Sequence, residues 1–262
     1  LIEAAKQLAQ QRQLRKAVES LSLAIGLEPE NTEAYLMRAG ILVQLGQNAS
    51  ALADYGTAIR FATDEPRPHF LRGVFLLTRQ QNERAVGDFS EAIRLDPQYA
   101  TAYNHRGLTY LTLGKHDLAA ADFDRLLQLR PNEAEALNNR GYARLKTGRF
   151  RDAVADFQAA ISLKPDSPSA YNNLGLAHYE MQNYEAAVAQ FAEAIRRDLH
   201  NARYYMHRRA AYLKLDKQQL AEADTRTIQW LTDLAKLSRN VARNPKSAAG
   251  YIQRASHLLE QR

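Results

Sequence analysis

The 262-residue chain contains no cysteine, one tryptophan, eight prolines and twelve glycines. Without cysteine there is no disulfide scaffold, no thiolate-held zinc or iron–sulfur centre and no thiol nucleophile. No apolar run approaches the roughly 18 residues a helix needs to cross a bilayer. The opening residues Leu1, Ile2, Glu3, Ala4, Ala5 and Lys6 lack the charged-then-apolar layout of a signal peptide. Leu1 stands where an initiator Met is expected, which fits a chain excised from something longer; the compartment stays open. Among the seven histidines (His69, His105, His116, His178, His200, His207 and His257) no two sit three or four apart with a carboxylate in a metal-ligand pattern. No metal, cofactor or catalytic group is therefore expected. The 45% hydrophobic and 24% charged content is ordinary for a folded protein and excludes disordered, collagen-like and coiled-coil chains.

The net charge of +6 is unevenly placed. Of 35 Lys and Arg and 29 Asp and Glu, residues 196–262 hold 14 and 6, so that stretch is +8; residues 1–195, with 21 and 23, are −2. A basic stripe along the whole molecule, as nucleic-acid binding would want, is absent, and aromatic residues do not alternate with the basic ones at the C-terminal end.

Proline and glycine are few but regularly placed. Pro97, Pro131 and Pro165 are 34 residues apart, and Pro29 lies 68 before Pro97. With each proline at position 32 of a 34-residue unit, position 20 reads Ala17, Ala51, Ala85, Ala119, Ala153, Ala187 and Ala221. Position 8 reads Ala5, Ala39, Gly73, Gly107, Gly141, Gly175 and Arg209; position 24 reads Leu21, Tyr55, Phe89, Phe123, Phe157, Phe191 and Thr225. Apolar positions 4, 8, 11 and 12 form one helical stripe and 20, 24, 27 and 28 a second, so each unit is two amphipathic helices. Gly46, Gly114 and Gly148 at position 15 suit a left-handed helix end, and the proline stops the second helix. Neither helix buries its stripe alone, so neighbouring units stack.

The expected units are residues 1–31, entered at position 4, then 32–65, 66–99, 100–133, 134–167, 168–201 and a divergent 202–246, with a capping helix over 247–262. Tyr205 and Tyr251 both fit position 4 but are 46 apart. The surplus reads as a lengthened second helix, about Gln218 to Val241, with Ile228, Leu231, Leu234 and Leu237 on one side, Trp230 packed, and Asn244 and Pro245 ending it. A last helix from about Ser247 would carry polar Gln253, Arg254, Glu260 and Gln261.

These columns resemble the tetratricopeptide repeat family; the unit 100–133 carries Tyr103, Gly107, Tyr110, Gly114, Ala119, Phe123 and Pro131 at the family's positions. The resemblance covers residues 1 to about 235 and fades at Leu199, Arg209 and Thr225, which replace the proline, glycine and aromatic. It implies an all-α solenoid of antiparallel helix pairs, wound into a right-handed superhelix and closed by the C-terminal helix.

Position 7 carries Arg38, Arg72, Arg106, Arg140 and Arg208, a row that suggests phosphate or RNA contact. Position 23 answers it with Asp54, Asp88, Asp122, Asp156 and Asp224 in the same units. Where position 7 is Ala4 or Leu174, position 23 is Ser20 or Gln190. Residues that come and go together pair with each other, so structural ion pairs within each unit are expected.

In the resemblance, positions 2, 5, 6, 9, 12 and 13 of the first helix line a concave groove that holds extended peptides. Here Leu36, Met37, Val43, Phe70, Leu71, Val74 and Leu77 form an apolar groove patch, and Asn104, His105, Asn138, Asn139, Tyr142, Asn172, Asn173, Tyr179, Arg203 and His207 an amide-rich stretch. An amide donates and accepts, so a ladder of them suits the backbone of an extended chain; similar ladders line the grooves of O-linked N-acetylglucosamine transferase and kinesin light chain. The alternative is that these Asn only bond adjacent repeats. Binding of an acidic C-terminal peptide by a partial carboxylate clamp through Asn138, Tyr142, Asn173, Arg203 and His207 is weaker, since only Asn173 is identical to that template and Arg203 and His207 are chemically near.

The function expected is a non-enzymatic module binding a protein or peptide partner in its groove; the alternative is a structural scaffold that self-associates or organises a multiprotein assembly, through the apolar patch or the long C-terminal helix, with Phe70→Asp as the test of the patch. Replacing Asn138, Asn139, Asn172 and Asn173 by Ala is expected to abolish binding with little loss of stability.

Overall fold

The computed structural model describes residues 1–259, apart from the side chains at positions 248, 255, 257 and 259. Glu260 and Gln261, expected on the terminal polar surface, lie outside the described residues, as does the side chain of His257. The chain divides into two compact units, Leu1–Pro131 and Asn132–Arg262.

All regular structure among the described residues is α-helical. The first unit holds α1 (Ile2–Gln10), α2 (Leu14–Leu27), α3 (Thr32–Gln44), α4 (Asn48–Phe61), α5 (Pro66–Thr78), α6 (Asn82–Leu95), α7 (Ala100–Thr112) and α8 (His116–Leu129). The second holds α9 (Ala134–Lys146), α10 (Phe150–Leu163), α11 (Pro168–Glu180), α12 (Tyr184–Arg197), α13 (Ala202–Lys214), α14 (Gln218–Arg243) and α15 (Ala248–Leu259). Within each unit every helix packs on the next in chain order, which makes the protein an all-α solenoid.

The helix ends follow the local chemistry. The Asn31 side chain caps α3 by accepting the Ala34 N–H at 3.0 Å, and Pro66 and Pro168 open α5 and α11, where the missing N–H is no loss. At the other end, position 15 is left-handed in all seven helix pairs: Gly46, Gly114 and Gly148, but also Arg12, Gln80, Gln182 and Asp216, with φ from 55° to 78°. The following N–H reaches back to the carbonyl at position 11, from Gln13 to Leu8 at 2.8 Å through to Lys217 to Tyr212 at 3.0 Å. This closing bond holds the αL turn even where a side chain costs about 1 kcal/mol relative to glycine.

Packing explains the position 8 and 24 columns. Phe89, Phe123, Phe157 and Phe191 are fully buried. A Cβ on Gly73, Gly107, Gly141 or Gly175 would meet the ring sixteen residues on at 2.7, 3.0, 2.7 and 2.5 Å respectively. Glycine is needed at these four positions because the aromatic ring lies directly on the helix backbone. In the last pair the combination is replaced as a set: Arg209 Nε donates to Thr225 Oγ1 at 2.8 Å.

The long helix α14 ends at Arg243, two residues beyond the expected point, with Asn244 as its cap. Ile228 and Trp230 pack with Leu231 on Ile195, Tyr204 and Tyr205, and Val241 is buried near the start of α15.

Candidate functional site

The arginine column is consumed inside the helix pairs. Arg38 Nε and Nη2 both donate to Asp54 at 2.8 Å; Arg72 grips Asp88 at 2.8 and 2.7 Å. Arg106 holds Asp122 at 2.9 and 2.7 Å. Arg140 and Arg208 hold Asp156 and Asp224, each at 3.0 and 2.6 Å. Every pair is sixteen residues apart and bidentate, with the carboxylate buried. Burial pushes the Asp122 carboxyl above its ordinary range, against the hydrogen bonds and charge of Arg106 that pull it down. These side chains are occupied by each other and offer no row of cations to a phosphate backbone.

In the first unit the apolar groove residues turn inward. Leu36 is buried at 5% exposure. Val43, Phe70, Leu71, Val74 and Leu77 are half-buried against the cluster that Leu36 forms with Leu42, Phe75, Leu76 and Phe89, and Met37 packs on the Ala34 and Ile41 cluster. Phe70 on α5 stacks on His105 of α7, centroids 5.1 Å apart and planes 14° off parallel, and also touches Phe89 and Tyr99. Phe70 thus joins successive repeats, and Phe70→Asp would report on stability before association. Burial lowers the His105 pKa from its ordinary value. Asn104 is half-buried on α7.

The amide stretch of the second unit behaves alike. Asn172 is 6% exposed. Its Oδ1 lies 2.7 Å from Nδ1 of His207 on α13, its Nδ2 lies 3.4 Å from Asn173 Oδ1, and Asn173 Nδ2 donates to Asn138 Oδ1 on α9 at 3.1 Å. Position 5 of one repeat meets position 6 of the next, 35 residues on, as Phe70 meets His105 in the first unit. Asn172 is therefore an internal group, and the expectation that its loss is harmless to the fold fails because His207 would lose a buried partner. Tyr142 lies under Lys146 at 5.4 Å and Tyr179 packs edge-on to Tyr184 at 5.3 Å. Arg203 is exposed on α13.

Beside this chain of amides, at the N-terminal ends of α9 and α11 and the C-terminal end of α10, lies a polar cavity of about 260 Å³. Asn138 and Asn139 line it with Glu135, Lys164, Ser167 and Ser169. Lys164 Nζ bonds Glu135 Oε1 at 3.2 Å across solvent-exposed surface, and the two serine hydroxyls are 3.1 Å apart. Of these lining residues, the repeat pattern marks only the two asparagines. Glu135 and Ser169 sit at groove position 2, but Lys164 and Ser167 lie at positions 31 and 34, which no face-of-helix argument joins to the first helix.

Comparison with known proteins agrees with this architecture. The tetratricopeptide repeat family pattern matches residues 2–66, 70–134, 138–198 and 172–224. The chain belongs to the tetratricopeptide repeat family, a fold of protein-interaction modules. It is similar to YrrB, described as a TPR protein with an unusual peptide-binding site, at 22% identity and a TM-score of 0.63 over 69% of this chain and 93% of that one. It is also similar to a MamA fragment from Desulfovibrio magneticus RS-1, at 23% identity and 0.61 over 64% and 95%. The C-terminal part of a TPR repeat-containing protein from Cytophaga hutchinsonii aligns over 96% of this chain and 98% of that fragment, at 17% identity and a TM-score of 0.69. No curated protein matches the sequence. No described helix is long and apolar enough to cross a membrane.

Proposed function

We propose that the protein is a non-enzymatic interaction module that holds an extended segment of a partner along the first-helix faces of its second unit. The observation that carries this is the polar cavity lined by Asn138, Asn139, Ser167, Ser169, Glu135 and Lys164. It combines amide, hydroxyl and charged groups in one concave place, the mix that fixes a peptide's polar backbone while leaving its side chains free. The peptide-binding site named for YrrB, a protein of like fold, is consistent with such a use. The apolar residues of the first unit have packed duties and are not assigned to the ligand.

The test is a peptide-display selection on the immobilised 262-residue chain, followed by titration of selected peptides against Ser169→Trp. Ser169 is exposed at the cavity rim, so an indole there fills the cavity without touching the core. At least tenfold weaker binding, about 1.4 kcal/mol, with an unchanged urea midpoint, is the expected result. Peptides that bind the variant as tightly as the parent place the site elsewhere.

A further inference from the structure

The side chains His207, Asn172, Asn173 and Asn138 form a hydrogen-bond chain with a direction. Asn172 Oδ1 can only accept, so His207 Nδ1, 2.7 Å away, donates to it. Asn172 then offers Nδ2 to Asn173 Oδ1 at 3.4 Å, and Asn173 offers Nδ2 to Asn138 Oδ1 at 3.1 Å. Asn138 lines the cavity and its oxygen is taken by Asn173, which leaves its Nδ2 as the amide donor available to a ligand there. Turning all three amides over gives a second complete chain: Asn138 donates to Asn173, Asn173 to Asn172, and Asn172 to a His207 Nδ1 that carries a lone pair. In that arrangement Asn138 shows the cavity an acceptor. A neutral imidazole has a tautomer for each direction; an imidazolium, which has hydrogen on both nitrogens, permits only the first.

We propose that the cavity beside α9 receives a carbonyl or carboxylate oxygen of an extended peptide on Asn138 Nδ2, and that a proton on His207 holds that donor in place through the amide chain. This rests on the cavity being the peptide site proposed above and adds its ligand class and regulation. No carboxylate free to raise its pKa faces His207 among the groups packed on it. α11 contributes Asn172 and α12 contributes the Phe191 ring at 5.5 Å, neither of which ionises. On α14 the carboxylate of Asp224 is bound by Arg208. On α13 itself Arg203 adds to burial in holding the imidazole pKa below its ordinary value. With His207 neutral both directions are open, and a proton on the imidazole selects the donor-outward one. By reciprocity, an acceptor bound in the cavity raises the His207 pKa. The weakest link is the 3.4 Å contact between Asn172 and Asn173, long for a hydrogen bond, so it is where the chain is cut.

The experiment is a nuclear magnetic resonance titration of the whole chain between pH 5 and 8, following the His207 ring and the side-chain amides of Asn138 and Asn172, without ligand and then with sodium acetate as the carboxylate probe. Asn138 is expected to titrate with the midpoint of His207 and to lose that response in His207→Phe. In Asn173→Leu, Asn172 should keep the response and Asn138 lose it; Asn173→Ser cuts the same link if the leucine variant does not give a native spectrum. Acetate should raise the His207 midpoint in the parent and not in the cut variant. An Asn138 amide that ignores pH, or still follows it after the cut, overturns the coupling; an acetate-insensitive midpoint in the parent overturns the ligand class. The ligand-free titration does not depend on peptide capture, so loss of the coupling and loss of the peptide reading are told apart.

Discussion

Arg106→Leu separates what the guanidinium–carboxylate clasps contribute from what they merely require. In the parent, Asp122 is buried, its side chain 6% exposed, and receives two hydrogen bonds from Arg106, whose Nη1 also reaches Ser90 Oγ at 3.0 Å. Removing the arginine leaves a buried carboxylate with neither charge nor donors, a defect that generally costs 3 to 5 kcal/mol. The group can escape by taking up a proton, and burial already biases it that way. We therefore expect a loss of about 2 to 4 kcal/mol at pH 7.5. Arg106→Leu with Asp122→Leu leaves no buried ion and should lose less. The pH dependence has a definite sign. In the single variant the folded-state pKa of Asp122 lies above its unfolded value, so the stability tied to its proton is fully present below the unfolded value and lost as pH rises through the folded one. The gap between the single variant and the parent should shrink as pH falls from 7.5 towards 4.5. Urea unfolding followed by circular dichroism and tryptophan-independent hydrogen exchange of α7 and α8 reads this locally, as a repeat array demands. A double variant as unstable as the single, or a gap that does not change with pH, would refute the reasoning.

The other expectations are shorter. Gly141→Ala places a methyl 2.7 Å from the Phe157 ring and should lose about 1 to 3 kcal/mol in urea denaturation, partly restored by Phe157→Leu. Gln80→Gly and Gln182→Gly relieve left-handed positions at φ 57° and 62° and should each raise stability by roughly 0.5 to 1 kcal/mol; a loss in both would show that the side chains do more than occupy the turn. Phe70→Ala removes a half-buried ring stacked on His105 and should cost about 2 kcal/mol, with sedimentation showing no change in association state.

The helical plan was legible because its constraints recur: a small residue meets an aromatic one at an offset of sixteen, and an arginine meets an aspartate at the same offset, so correlated gain and loss across units exposes the contact. The left-handed turn was legible only where glycine marks it. At Arg12, Gln80 and Gln182 the closing backbone bond imposes the turn on residues with no preference for it, and Asp216 is a residue type that tolerates it. The site was less legible. Positions 5 and 6 lie on the first-helix face, but there the neighbouring repeat competes with a ligand for the same groups. Sequence spacing does not say which of them Asn172 or Phe70 will meet. Lys164 and Ser167 reach the cavity from the end of α10 and the turn into α11, a proximity set by how α10 folds back on α9 and by the entry into the next repeat.

Two offsets, sixteen and thirty-five, mark two recurring kinds of contact in this molecule: the Arg–Asp clasps and the bonds between position 5 of one repeat and position 6 of the next. The Arg–Asp clasp at sixteen is closed within one helix pair, while the third guanidinium nitrogen of Arg38 and Arg106 ties that pair back to a serine of the preceding one. The contact at thirty-five belongs to a junction, where amide must face amide or imidazole, and ring must face ring. Exchanging one repeat for another would therefore keep the Arg–Asp clasp but break the junction contacts wherever the new position 5 or 6 does not match its neighbour.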